Sequence, residues 1–205
     1  MTVIARALGM QKSGVHRLLK SLAVRNLVEQ TERGTYVLGF GLVSLATAVS
    51  TGEPLVAASV PVLENLADST GETVFLVTDR GGELKVASKA EGTGFLRAAP
   101  EVGATIPAAK TAVGKLYATH APERLRSVPR FPAELRQQVR SLGHAVNKEE
   151  WQPGLSVLAV PVMVRAGFSG ALALATVAQR MELLSERKLV RLLKNAAAAM
   201  ARRLA

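Results

Sequence analysis

Residues 4–22 read IARALGMQKSGVHRLLKSL and predict two short helices separated by a tight turn. Thr2 is suited to cap a first helix that runs to about Leu8. Gly9 is a natural helix terminator, because glycine adopts the left-handed conformation that ends many helices. A second helix is expected to open at Gln11 or Ser13.

The second helix is amphipathic, since its apolar residues recur at i, i+3, i+4 and i+7. The apolar residues are Val15, Leu18, Leu19 and Leu22. Its other faces carry polar and basic side chains that a ligand can reach. These are Gln11, Lys12, Ser13, His16, Arg17 and Lys20. Such an arrangement is the helix-turn-helix plan, in which the second helix enters the DNA major groove.

A hairpin is predicted directly after this helix, with strands at 27–30 and 35–38 around Glu32, Arg33 and Gly34. A hairpin in that position is a wing, and Arg33 at its tip is placed to touch a phosphate or the minor groove. Residues 1–40 hold six Lys or Arg and two Asp or Glu, a net charge of +4. An ordinary helical pair with a solvated basic face is the alternative, and the wing favours DNA binding.

The whole-chain composition limits the classes of function. The 205 residues are 48% apolar, enough for a core, and carry a net charge of +10. That charge fits a polyanion partner, an anionic membrane surface or an arginine-favouring composition. The absence of cysteine excludes disulfides and thiol catalysis, and three scattered histidines disfavour a metal site. We find no 18-residue apolar run and no signal segment, which predicts a cytoplasmic protein without a membrane partner.

The rest of the chain predicts a sheet covered by helices. A helix is expected at 54–68 with Val56, Val60, Leu63 and Ala67 on one face, and Pro61 should kink it or begin a second segment. Residues 73–91 predict a hairpin around two glycines, and 94–100 are a further strand candidate.

A helix is expected from about 109–111 and another at 132–142, with buried strands at 155–164 and 170–176. Ser185 should cap a basic closing helix. This order indicates an antiparallel-centred α/β sandwich.

Four segments resemble the isocitrate lyase regulator (IclR) family of bacterial transcription factors. Residues 4–22 with GTYVLG (34–39) are similar to its winged helix. VGATIPAAKTAVGK (102–115) and LGHAVNKEEWQPGLSVLAVPV (142–162) are similar to its second domain. The resemblance covers residues 2–180. It departs at Gly14, where the family has threonine or serine, and at 120–132, where a loop beside the effector site is shorter.

The resemblance implies an α+β fold in three parts. An incomplete winged helix-turn-helix (1–40) is followed by a linker helix (41–53) and a GAF-like α/β effector-binding domain (54–205). The family has one more helix ahead of residue 1, so weak DNA binding is expected of this chain. The linker helps to pair family subunits, which implies a homodimer or homotetramer on palindromic double-stranded DNA; a plain connecting helix is the alternative.

The resemblance also implies a pocket for a small organic effector that contains a carboxylate and is partly apolar. The matched residues are Phe95, Ala98, Ile106, Ala112, Val113, Gly114, Asn147, Leu155, Val157, Leu174 and Thr176. Backbone amides at 113–115 would receive the carboxylate if they open a helix. The alternative is that these side chains are core. No cofactor or metal is implied.

No catalytic constellation accompanies these residues. Glu149 and Glu150 are adjacent, so they point apart, and we expect them to pair with arginines or cap the loop. Trp151 either packs or stacks on a ligand. An enzyme is therefore disfavoured. Two readings stay open: an effector-controlled DNA-binding regulator, or a ligand-sensing module with defective DNA binding that pairs with a full-length regulator.

Overall fold

A computed structural model of the chain describes residues 2–94 and 100–204. The chain forms two compact units that divide between Glu53 and Pro54. The predicted mixture of helices and sheet is confirmed in both.

Over its described residues, 2–53, the first unit contains three helices and one hairpin. They are α1 (Thr2–Leu8), α2 (Lys12–Val24), β1 (Val28–Gln30), β2 (Tyr36–Leu38) and α3 (Gly41–Gly52). Gly9 has a φ of +61°, and the amide of Met10 donates to the carbonyl of Ala5 at 3.0 Å, which closes α1. Helices α1 and α2 and strands β1 and β2 lie within a residue or two of their predicted positions.

A small core holds α1, α2 and the hairpin together. Ala5, Val15 and Leu19 are buried, and Val28 and Tyr36 pack against them. Leu18 differs from the predicted stripe, since it is exposed. Leu18 is not among the residues of the small core that contains Val15 and Leu19.

The second unit contains six strands and five α-helices among the described residues. The helices are α4 (Pro54–Thr70), α5 (Ala112–His120), α6 (Ala133–Leu142), α7 (Ala178–Leu183) and α8 (Glu186–Arg202), with a 3-10 turn at Pro122–Arg124. The strands are β3 (Thr73–Arg80), β4 (Glu83–Ala90), β5 (Thr105–Ile106), β6 (Ala145–Lys148), β7 (Leu155–Val164) and β8 (Gly167–Val177).

The strands form one antiparallel sheet in the order β5-β4-β3-β8-β7-β6. One face packs against α4 and α8, in a core that includes Leu63, Leu158, Leu174 and Leu193. The other packs against α5 and α6, in a core that includes Tyr117. Successive residues of a strand point to opposite faces, so register decides which core each side chain joins.

Helix α4 continues through Pro61, so no second segment begins there, and the kink at Pro61 stays a prediction. One lost backbone hydrogen bond is outweighed by seven buried residues along the helix. Val60 is exposed, since the buried face is centred further round the helix, on Ser59, Leu63 and Leu66.

No single helix in the described ranges combines the length and apolar composition needed to cross a membrane. Segments 41–49 and 54–70 reach that length and composition only if counted together as one broken span.

Candidate functional site

The outer face of α2 and the hairpin turn form the first candidate surface. All six polar or basic residues predicted to contact DNA from this helix are exposed: Gln11, Lys12, Ser13, His16, Arg17 and Lys20. Gln11 is the N-cap residue of the helix. Arg33 is exposed in the turn, which closes through a 2.8 Å bond from the Thr31 amide to the Thr35 carbonyl.

Most of the net positive charge lies outside the unit that contains the helix-turn-helix. Residues 1–53 hold six Lys or Arg and three Asp or Glu, whereas residues 54–205 hold twenty and thirteen. The second unit therefore carries +7 of the +10. Segment 186–203 alone has six basic residues against one acidic residue. Binding of DNA by the first unit does not account for most of the positive charge.

A second candidate site is a small cavity between the sheet and the start of α5. It leaves about 10 Å³ of free space, room for about one water molecule. Its lining consists of Phe75, Ile106, Thr111, Ala112, Val113, Asn147, Trp151 and Val157.

Strand register explains why these residues meet. Asn147 on β6 pairs with Val157 on β7, and directly paired residues share a face of the sheet. Val157 pairs in turn with Ala175 on β8. Phe75 on β3 pairs with Ala173, two residues away on the same face.

The structure brings five of the predicted effector residues together in this cavity: Ile106, Ala112, Val113, Asn147 and Val157. Leu155 is buried in the core on the same face but does not line the cavity. Phe95 and Ala98, with the strand expected around them, lie outside the described residues.

Leu174 and Thr176, which were predicted to belong to the site, do not line this cavity. Leu174 pairs with Leu158, and both belong to the core against α4 and α8. Thr176 pairs with Ser156 and shares that face by strand alternation. An offset of one residue from Ala175 moves a side chain through the sheet, so neither residue reaches the cavity.

Gly114 contributes close packing and does not line the cavity. A Cβ atom at this position would lie 1.7 Å from the carbonyl oxygen of Ala108. Glycine is therefore needed for the 107–111 segment to pass directly over α5.

Sequence reasoning missed two lining residues, Phe75 and Thr111, and left Trp151 open. Phe75 could have been found only from the pairing of β3 with β8. Trp151 is partly buried and packs against the core while it lines the cavity. Packing of Trp151 is therefore confirmed, and its contact with a ligand stays a prediction.

The start of α5 is capped from within the protein. The hydroxyl of Thr111 accepts from the Gly114 amide at 3.0 Å and donates to the Pro107 carbonyl at 2.8 Å. The Lys115 amide donates to the Thr111 carbonyl at 3.0 Å. The amides of Gly114 and Lys115, expected to receive a carboxylate, are therefore already engaged.

Asn147 is the polar residue that stands out in the lining. It is 2% exposed, and its side-chain nitrogen donates to the carbonyl oxygen of Lys110. Its side-chain oxygen is buried and has no hydrogen-bond partner among the described residues. A buried acceptor without a partner is uncommon in native proteins and requires an explanation.

The paired glutamates have separate structural tasks. Glu149 accepts from the Gly154 amide at 2.7 Å and so caps the loop, as expected. Glu150 pairs with Lys115 at 2.5 Å, whereas an arginine was expected; Lys115 reaches it because α5 packs beside β6, the strand that precedes this loop. Within the described ranges, no three His, Cys, Asp or Glu residues cluster as metal ligands would.

Two titratable groups on α5 are shifted by burial. Burial raises the pKa of the Tyr117 hydroxyl, which donates to the Val77 carbonyl at 3.4 Å. Burial, followed by the nearby Arg140, lowers the pKa of His120. Neither residue lines the cavity, so both act in the core.

Comparison with known proteins gives consistent matches for both units. Residues 1–32 match the family described as "IclR helix-turn-helix domain", and residues 47–130 match "Bacterial transcriptional regulator IclR C-terminal". The HTH-type transcriptional regulator XynR of Escherichia coli is 29% identical over 202 residues, covering 89% of this chain and 80% of XynR. The HTH-type transcriptional regulator BhcR of Paracoccus denitrificans is 30% identical over 189 residues, covering 83% of this chain and 68% of BhcR.

A solved structure shares the fold over almost the whole chain. It is an IclR homologue from Microbacterium hydrocarbonoxydans, crystallised in complex with 4-hydroxybenzoate. The TM-score is 0.82 at 19% identity, covering 98% of this chain and 89% of the homologue. At that identity the likeness shows the fold alone.

Proposed function

The chain belongs to the IclR family of bacterial transcriptional regulators, and from this premise we propose that a small effector bound in the cavity beside Asn147 modulates its binding to DNA. It is a DNA-binding regulator of transcription, and its relatives are named as regulators and not as enzymes.

The observation that carries the proposal is the convergence of five residues from four elements on one apolar cavity. Residues of β5, α5, β6 and β7 meet there, and Phe75 of β3 completes the wall. Small-molecule sites are typically concave and mostly apolar, with a few polar groups that fix the orientation of the ligand. An effector with an apolar body fits this lining better than a very small hydrophilic acid.

The cavity has to enlarge before it can hold such a molecule, because about 10 Å³ accommodates little more than one water. Trp151 is the side chain best suited to move. It lies in an irregular loop between β6 and β7 and is only partly buried. Effector binding would therefore select a conformation with Trp151 displaced, and its apparent affinity would include the cost of that opening.

We propose that the DNA contacts are made by the exposed face of α2 and by Arg33. Arg17 is the residue proposed to read a base, since arginine pairs with guanine edges, while Lys20 and Lys12 would hold phosphates. One such unit reads few base pairs. We therefore propose that at least two copies of the chain bind a symmetric operator. In this proposal α3 links a DNA-binding domain (1–40) to an effector-binding domain (54–205), and the α3 helices of two copies pair with each other.

Trp151 provides a direct test of the effector proposal, because it is the only tryptophan of the chain. Its fluorescence is recorded while aromatic and medium-chain organic compounds, including 4-hydroxybenzoate, are titrated into the full chain. A compound that binds should change the emission saturably and should also change the affinity for DNA from upstream of the protein's own gene.

The control is Trp151→Phe, which removes the signal while keeping an aromatic wall, so binding is then followed by thermal shift. A compound that binds saturably without any change in DNA affinity would contradict the regulatory proposal. Saturable binding that is unaffected by Val157→Asp would contradict the location of the site.

A further inference from the structure

The unpartnered oxygen of Asn147 defines what this cavity can recognise. Asn147 lines the cavity, is 2% exposed, and leaves one side-chain acceptor without a partner among the described residues. The other lining residues are apolar except Thr111, whose hydroxyl both accepts and donates within its own turn, and Trp151, whose indole N–H is a donor. The side-chain oxygen of Asn147 is thus the free acceptor that the lining offers to a ligand.

The orientation of the Asn147 amide is fixed by its surroundings. Its nitrogen donates to the carbonyl oxygen of Lys110. Rotating the amide by half a turn would bring its oxygen against that carbonyl and exchange a hydrogen bond for a repulsion between two acceptors. Lys110 has a φ of +59°, so the carbonyl that accepts from Asn147 belongs to a residue in the left-handed conformation, which is uncommon for residues other than glycine. The group presented to a ligand is therefore the oxygen.

A carboxylate is poorly matched to this site. No lysine, arginine or histidine lines the cavity among the described residues. Lys115 is engaged by Glu150 and by the Val146 carbonyl, and it lines a separate cavity of about 220 Å³. A carboxylate here would be buried without a cation and would face another oxygen, an arrangement that costs free energy on both counts.

From these contacts we infer that the buried end of the effector is an uncharged hydrogen-bond donor, a hydroxyl or an amide N–H, which donates to the side-chain oxygen of Asn147. This inference rests on the proposed effector site. The free space fits one water-sized oxygen, which is the size of a hydroxyl group. Any carboxylate that the effector carries lies at the opposite end, outside the cavity.

One competing arrangement exists at the start of α5. The amides of Ala112 and Val113, its first two residues, point along the helix axis, and a helix N-terminus attracts anions. If they dominated recognition, a carboxylate would bind in preference to a hydroxyl. The two arrangements therefore predict opposite orders of affinity for matched compounds.

The test uses three compounds with the same ethylbenzene body: 4-ethylphenol, 4-ethylanisole and 4-ethylbenzoate. Their dissociation constants for the full chain are measured by Trp151 fluorescence and by thermal shift. We expect 4-ethylphenol to bind at least tenfold more tightly than either of the others, because only its hydroxyl can donate to Asn147. In Asn147→Leu, which fills a similar volume without an acceptor, the preference over 4-ethylanisole should disappear.

The other possible orders of affinity would refute either the donor inference alone or the effector proposal as well. Equal affinity for the phenol and the ether, or tighter binding of the benzoate, would refute the donor inference and leave the effector proposal standing. Failure of all three compounds, and of every other compound screened, to bind would refute both. The compound series on the unchanged chain decides the matter even if Asn147→Leu does not fold.

Discussion

The ammonium group of Lys115 donates a hydrogen bond to a carboxylate oxygen of Glu150 at 2.5 Å, and this pair joins α5 to the loop after β6. The same ammonium donates to the carbonyl oxygen of Val146 at 2.8 Å. The side chain of Lys115 is 8% exposed and that of Glu150 is 42% exposed. Lys115 thus holds β6, the strand that carries Asn147, against the helix that lines the other side of the cavity.

Replacing Glu150 with glutamine should destabilise the second unit, because a buried ammonium group would lose its charged partner. We expect the free energy of unfolding to fall by about 1–2 kcal/mol, less than for a fully buried pair because Glu150 is partly solvated. The double variant Lys115→Met with Glu150→Gln should lose less than the sum of the single variants. Urea unfolding measures all three.

The control for that prediction is Glu83→Gln, which removes the partner of Lys85 in a solvent-exposed pair at 3.5 Å. Exposed pairs contribute little, so this change should stay within about 0.5 kcal/mol. An equal effect at both sites would mean that the burial of Lys115 has no energetic consequence.

Local signals in the sequence predicted the elements, because caps, turns and periodicity act over a few residues. Gly9 ends α1 as expected, the two glycines at 81 and 82 turn the β3–β4 hairpin, and Ser185 caps α8. The cavity depends instead on pairing between strands distant in the chain. Without the register of β7 on β8, nothing distinguishes Leu174 from Ala175, although of the two it is Ala175 that lies on the face of the sheet where the cavity is.

Pairings between distant residues were likewise beyond the reach of the sequence. Lys115 and Glu150 are 35 residues apart, and Asn147 meets the Lys110 carbonyl across 37 residues. Gly114 was assigned to the effector site on resemblance, whereas the reason for a glycine there is its contact with Ala108. That contact arises only when the 107–111 segment folds over α5, which local sequence patterns do not determine.

Gly114→Ala should be strongly destabilising, because its new methyl group would lie 1.7 Å from the Ala108 carbonyl oxygen, and backbone must move to relieve the overlap. We expect a loss of about 3 kcal/mol or more in the free energy of unfolding. The matched control is Gly167→Ala, whose methyl group would lie 3.5 Å from the Val164 carbonyl, an ordinary contact. Comparable melting temperatures for the two variants would contradict the close-packing role of Gly114.

The pH dependence of stability should contain a contribution from His120. Its Nε2 atom is buried without a partner among the described residues, and its ring stacks on Phe168 at 5.4 Å. Burial and then Arg140 lower the pKa of this imidazole in the folded state. As the pH falls, the unfolded chain therefore takes up the proton before the folded chain does. The contribution of His120 to the free energy of unfolding is fully present above about pH 6.5 and is lost as the pH drops below that value.

His120→Phe keeps the stacked ring and removes the proton-binding group. We expect its melting temperature at pH 8 to equal or exceed that of the unchanged chain, since a buried polar atom without a partner is lost. Between pH 6.5 and 5 the variant should lose less stability than the unchanged chain. Parallel curves for the two proteins over that range would show that His120 does not contribute.

Arg17→Ala and Lys20→Ala should affect DNA binding differently. If Arg17 reads a base, its loss should cost about 1–3 kcal/mol on the operator and relax sequence preference. Loss of Lys20, a phosphate contact, should weaken binding uniformly and lower the log–log salt slope by about 1. Fluorescence anisotropy at several salt concentrations measures both effects. Arg165→Ala, exposed in the turn between β7 and β8, is the control of equal charge; the same response in all three would refute a specific role for α2.

The last prediction concerns assembly through α3. Leu45 and Val49 lie one helical turn apart and are 53% and 67% exposed, an unusual apolar surface for a helix in water. A symmetric pairing of two copies would cover both residues, and the double variant Leu45→Asp with Val49→Asp would place charges in that contact. We expect light scattering at micromolar concentration to show a dimer or larger species for the unchanged chain and a monomer for the variant.

Leu183→Asp, at a residue 87% exposed in the second unit, should leave the mass unchanged. A monomeric unchanged chain, with and without DNA, would contradict pairing through α3, whereas a dimeric double variant would place the pairing surface elsewhere.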